Sequence, residues 1–124
     1  MSCRGVRGAT SVEANDPESI VTATRELLER IVAANDMAVS DIASVVFTAT
    51  DDLDAEYPAR AAREMGWSRV PLLCMQEMAV RGSLPRCIRV LVLWNTDRSA
   101  ERIKHVYLGD AVRLRPDMAG KEGG

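Results

Sequence analysis

The sequence predicts one α/β domain (α+β-like in its mixed sheet), with elements in the order β-α-β-α-β-β and a short strand after them. Three observations carry this. An N-terminal stretch alternates with a period of two, whereas residues 17–35 carry apolar positions at spacings of three and four. Two later runs, 43–49 and 86–94, are almost continuously apolar and β-branched, the signature of strands covered on both faces. The chain has 124 residues, the size of one domain, and hides roughly 65–70% of its unfolded surface, enough for a core without disulfide staples.

Each element follows from its residues. In strand 3–12, Cys3, Gly5, Arg7, Ala9 and Ser11 share one face, and Arg4, Val6, Gly8, Thr10 and Val12 share the other. Its glycines imply that something approaches the backbone closely. Asp16-Pro17-Glu18 starts a helix over 17–35: a capping acid, proline at the first helical position, and negative charge in the first turn. Ile20, Thr24, Leu27, Ile31 and Ala34 form its apolar stripe, and Asn35-Asp36 ends it. Strand 43–49 is broken by Asp51, Asp52 and Asp54. Pro58 opens a second helix over 58–65, and Gly66 closes it. A third strand spans 70–75, Arg81-Gly82-Ser83 turns the chain, and a fourth strand spans 86–94. Residues 98–104 form a short helical or irregular link, 105–108 a short strand, and 119–124 a disordered tail. Two helices cover one face of such a sheet. The continuous apolar runs ask for a second cover, which a homo-oligomer with packed sheets would supply.

Composition narrows the function. Net charge is −2, so there is no cationic excess to displace the counterions of a nucleic acid. No apolar run approaches the roughly 20 residues of a membrane span, and the N-terminus shows no secretory signal. Three cysteines without Cys-x-x-Cys, and one histidine, disfavour a disulfide framework and a metal site and fit a reducing cytoplasm. Phosphate-loop, dinucleotide and nucleophile-elbow motifs are absent. Fourteen of the sixteen basic residues are arginine, a consequence of genome composition or of planar, two-point recognition of carboxylates and phosphates.

Position singles out a few of them. Arg89 lies inside Ile88-Arg-Val-Leu-Val-Leu-Trp94, where an unpartnered guanidinium is costly. It is an edge-strand arginine reaching for solvent, one paired with a carboxylate, or an anion-binding group in a cleft. Arg7 is flanked on its face by Cys3, Gly5 and Ala9, which leave space above the strand; a solvent-facing charge is the plainer reading. Arg60 and Arg63, at i and i+3, share a helix face and by default meet solvent, as do Arg113 and Arg115 near the end. Cys74 is a nucleophile only beside a base, and His105 is the one imidazole; a small buried hydrophobe is the simpler role. Gln76 and Glu77 are polar lining or turn residues, and Tyr107 either packs or donates to a ligand.

Several blocks together resemble one family. Arg4-Gly-Val-Arg-Gly-Ala-Thr10, Tyr57-Pro-Ala-Arg-Ala-Ala-Arg63, Val70-Pro-Leu-Leu-Cys-Met-Gln-Glu-Met78, Cys87-Ile-Arg-Val90, His105-Val-Tyr-Leu108 and Ala111-Val-Arg-Leu-Arg-Pro-Asp117 are similar to the AroH class of chorismate mutases. The resemblance runs from residue 3 to about 118, which sets the expected domain at 1–118. It implies a cytoplasmic, cofactor-free and metal-free enzyme that rearranges chorismate to prephenate in phenylalanine and tyrosine biosynthesis. It also implies a homotrimer, a pseudo-α/β barrel with active sites at subunit interfaces. By the same resemblance Arg7, Arg89 and Tyr107 hold substrate with the Leu73, Cys74, Met75, Gln76, Glu77 segment, and Glu77 and the Cys74 main chain or thiol meet the ring hydroxyl. Tyr57, Ala59, Arg60 and Arg63 come from the neighbouring subunit, and Arg115 belongs to a closing C-terminal segment. Tyr57 stands where phenylalanine is common, Leu73 where some members have threonine, and the stretch from Glu64 to Val70 is one residue shorter than in some members.

The implied chemistry is a concerted [3,3] shift. It needs the enolpyruvyl arm folded over the ring and a cation at the ether oxygen, which gains negative charge as the C–O bond breaks. Arg89 is the expected cation and Arg7 the expected carboxylate clamp. Two other readings fit an arginine-rich carboxylate site: a trimeric Rid-type imine deaminase, and a non-catalytic module that binds a dianionic acid.

Overall fold

A computed structural model describes residues 1–114 of the chain, so Arg115 and the expected tail 119–124 lie outside the described residues. The order is β1 (Ser2–Ser11), α1 (Pro17–Asn35), β2 (Ile42–Ala49), α2 (Ala59–Glu64), β3 (Leu72–Gln76), β4 (Cys87–Thr96) and β5 (Val106–Tyr107). The strands form one mixed sheet in the order β3-β2-β4-β1-β5. Parallel pairs β2–β3 and β1–β5 flank a central β4 that runs antiparallel to both β1 and β2.

Both helices pack on one face. Asp16 caps α1, its carboxylate accepting from the Ser19 N–H at 2.8 Å, with Pro17 at the first helical position. Leu27, Leu28 and Ile31 of α1 join Ala59 and Ala62 of α2 over Val6, Val45, Phe47, Val90, Val92 and Trp94. Close access at Gly8 is needed by the protein's own helix. A Cβ there would lie 2.7 Å from Ile31 Cδ1 and 3.0 Å from Val90 Cγ1. Gly8→Ala overpacks this contact and is expected to lower stability by about 1–3 kcal/mol, read as a fall in the thermal midpoint without loss of two-state unfolding. Asn35, which reads in the sequence as a helix end, is a fully buried clamp. Its amide donates to the Ile31 and Lys104 carbonyls and accepts from the Lys104 N–H, tying α1 to the segment that leads into β5.

Among the described residues no α-helix covers the opposite face. That face carries Val46, Leu91 and Leu93 with Leu73 and Met75; Leu73 is 55% exposed and Met75 49%. This is the uncovered apolar face that the strand composition requires. At one end it is partly roofed by a 3-10 segment, Gly109–Leu114, whose Ala111 is buried against Ala9 and Cys87. Arg113 is exposed, as expected of a charge near the end, although its segment packs. Gly109, at φ 57°, brings the backbone so close to β1 that a Cβ would meet Ser11 Oγ, and that hydroxyl accepts from the Asp110 N–H at 2.9 Å. Residues 70 and 71 precede β3 instead of belonging to it, because Val70 closes a turn on Trp67.

Candidate active site

The uncovered face gathers the charged groups. Pairing aligns Met75, Thr48, Arg89, Ala9 and Tyr107 in one row across all five strands. Side chains alternate along a strand, so every member of a cross-strand row points to the same face. Arg7 lies on that face too, two residues before Ala9 and opposite Leu91. Glu77 follows β3, its N–H donating to the Ala49 carbonyl at 2.9 Å.

Arg89 is on the central strand, so the edge-strand reading is corrected. Its apolar neighbours Ile88 and Val90 face the helices, while its own side chain stands on the open face, 46% exposed. Nε lies 3.4 Å from Glu77 Oε1. The same oxygen accepts from the Thr48 hydroxyl at 2.6 Å, and Glu77 Oε2 accepts from the Met78 N–H at 3.2 Å. Cys87, two residues before Arg89, is buried. Burial raises its thiol pKa, against the opposing pull of the neighbouring guanidinium.

Arg7 is half-buried, and its backbone N–H donates to His105 Nδ1 at 2.9 Å. The single imidazole thus helps join β1 to the segment entering β5. Cys74 sits on β3, at the far edge of the sheet, so the two do not form a nucleophile–base pair within one chain. Burial also raises the Cys74 pKa, outweighing the Ala59 backbone contact and the charge of Arg63, so the thiol is poorly nucleophilic at neutral pH.

The expected site residues fall into two groups. Arg7, Glu77, Arg89 and Tyr107 share the open face, with Leu73 and Met75 beside them. The Cys74 side chain is on the helix side of β3 with Leu72, packed toward the core, and keeps company with α2. There, residues including Tyr57, Cys74, Met75 and Gln76 line a cleft of about 410 Å³. Tyr57 is 67% exposed at its mouth, and Ala59 and Arg63 lie on the helix that follows. Within one subunit the Cys74 and Glu77 side chains therefore stand on opposite faces of the sheet. Arg60 has a local task. Its guanidinium donates to Glu56 and to Glu64, each at 2.7 Å. Hydrogen bonding to Arg60, then to the Tyr57 N–H, lowers the Glu56 pKa; the same pair of carboxylates raises that of Arg60.

Two arginines and a tyrosine on one sheet face, with a carboxylate fixed beside Arg89, suit a small dianion. A polar group on that dianion can donate to Glu77, while its carboxylates meet guanidinium groups. Among the described residues no cluster of three His, Cys, Asp or Glu side chains could hold a metal, and no helix is long and apolar enough to cross a membrane. The family of type I chorismate mutases matches residues 3–118. The chorismate mutase AroH of Thermus thermophilus is 55% identical over 116 residues, 93% of this chain and 95% of that protein. The chorismate mutase AroH of Bacillus subtilis is 47% identical over 120 residues, 96% of this chain and 94% of that protein. A solved chorismate mutase from Clostridium thermocellum superposes with a TM-score of 0.88 at 48% identity, covering 89% of this chain and 98% of that one. These matches favour the mutase reading over an imine deaminase or a silent binding module.

Proposed function

We propose, from the premise that this chain belongs to the type I chorismate mutase family, that Arg89 is the electrostatic catalyst of its reaction. The protein is an isomerase that rearranges chorismate to prephenate, a step toward phenylalanine and tyrosine. One bond, between carbon and the ether oxygen, breaks while a carbon–carbon bond forms, and no proton changes hands. The residues need only fold the substrate and meet the charge that develops. Arg89 faces the ether oxygen and interacts more strongly with the transition state than with the ground state, which raises turnover. Arg7, with Tyr107, holds a carboxylate and keeps the side chain of the substrate over the ring. Glu77 accepts from the ring hydroxyl. The observation that carries this reading is the Arg89–Glu77 contact on a sheet face that also presents Arg7 and Tyr107.

In this reading the second group, Tyr57, Ala59, Arg63 and Cys74, completes the pocket of a neighbouring subunit in a cytoplasmic homotrimer. Arg60, held by two glutamates, shapes the wall. The apolar open face supports such an assembly, because an aqueous monomer leaves it wet. Complementation tests the shared site. Arg89→Gln and Arg63→Ala disable different groups, so trimers of either variant alone are inactive. Mixed trimers, formed by co-expression, regain a measurable fraction of wild-type turnover, because some interfaces pair two intact groups. Mixed trimers as inactive as their parents would mean that all these residues act within one subunit.

A further inference from the structure

We propose that Thr48 is a positioning residue for the rearrangement: its hydroxyl fixes the Glu77 carboxylate that in turn holds Arg89. The inference rests on the reading of Arg89 given above. Thr48 lies on β2 between Met75 of β3 and Arg89 of β4, its side chain on the open face. A threonine here satisfies strand propensity, but valine would serve that purpose equally well. What valine lacks is the hydroxyl, which donates 2.6 Å into Glu77 Oε1. That oxygen is the one facing Arg89 Nε, at 3.4 Å. The guanidinium contact is long for a hydrogen bond. The other carboxylate oxygen accepts from the Met78 N–H at 3.2 Å, next to a loop that exposes Met78 and Val80. The backbone of Glu77 is held by the Ala49 carbonyl, and the short Thr48 bond is the firm attachment of its carboxylate to the sheet. Without it the carboxylate turns with its loop, and Arg89 loses the partner that sets its direction. A cation misplaced by about 1 Å stabilises the transition state poorly.

Thr48→Val removes the hydroxyl at constant shape. The expected result is a fall in kcat of about 10- to 100-fold, the size of one hydrogen bond to a charged group, with a smaller change in KM. Thr48→Ser, which keeps the donor, stays within a few-fold of wild type, and Thr48→Ala repeats the loss by an independent route. On a Glu77→Ala background, Thr48→Val adds less than twofold, since the bond it removes is already gone. Wild-type kcat in Thr48→Val, equal losses in Val and Ser variants, or an undiminished loss on the Glu77→Ala background would each overturn the role. Citrulline at position 89, assayed in parallel, separates the two levels. If it leaves kcat intact, the reading of Arg89 fails; if it abolishes turnover while Thr48→Val does not, only the role of Thr48 fails.

Discussion

Citrulline in place of Arg89 lowers kcat by at least about 10²–10³-fold, the loss that follows removal of one preorganised donor at a developing oxyanion. Citrulline keeps the length and planarity of arginine and three of its five N–H groups, discards the charge and puts a carbonyl oxygen in place of one terminal nitrogen. The packing of β4 against the helices is untouched, because Ile88 and Val90 make that contact and the residue 89 side chain stands on the opposite face. KM changes less than kcat, since the charge that Arg89 meets exists in full only as the ether bond breaks. The readout is the disappearance of the diene absorbance of chorismate under saturating substrate. A variant that binds weakly but turns over at the wild-type rate would reduce Arg89 to a ground-state anchor. Arg89→Lys is also strongly impaired, because a compact ammonium on a different stem reproduces neither the reach nor the fork of the guanidinium.

Val46→Asp yields a folded monomer whose kcat/KM is lower by at least about 10²-fold, the scale expected when catalytic groups are no longer held in register. Val46 sits between Leu73 and Leu91 on the uncovered face. In the proposed trimer a carboxylate there would have to shed its water where the sheets pack together, at a cost of several kcal/mol. In the isolated subunit it meets water, and Val45 and Phe47 still fill the core from the other side of β2. Sedimentation measures the assembly, circular dichroism the fold, and the chorismate assay the activity. A trimer that survives the substitution, or a monomer with full activity, would show that this face is not where subunits join or that one subunit suffices.

Much of the fold was legible because it is written in local periodicity. The spacing of Ile20, Thr24, Leu27 and Ile31 fixes a helix and its buried stripe, and all four are buried. Alternation in β1 assigns Arg7 and Ala9 to one face and Val6 and Gly8 to the other, as the register requires. Asp16, Pro17 and Gly66 mark helix ends through backbone chemistry that no tertiary contact need supply. The packed segment 109–114 was not legible as structure, although Gly109 and the pair Ala111 and Leu114 at i, i+3 are a signal for it. Asn35 gave none, since a clamp to a residue 69 positions away has no local signature.

The site divides along the same line. Residue type singles out Arg89 from sequence, because a charge in an apolar run is anomalous wherever it lies, and the block resemblance adds Arg7, Glu77 and Tyr107. Which strand is central, and therefore that Arg89 is no edge residue, depends on strand order, which period-two patterning leaves undetermined. Likewise, the separation of Cys74 from Glu77 follows from the parity of β3 once its register with β2 is set. The bond from Thr48 to Glu77 joins residues 29 apart. Sequence thus determined which residue types carry charge and which face of each element is apolar; the tertiary structure alone decided which of them meet, because hydrogen bonds and ion pairs act only over a few ångströms and strand pairing sets those distances.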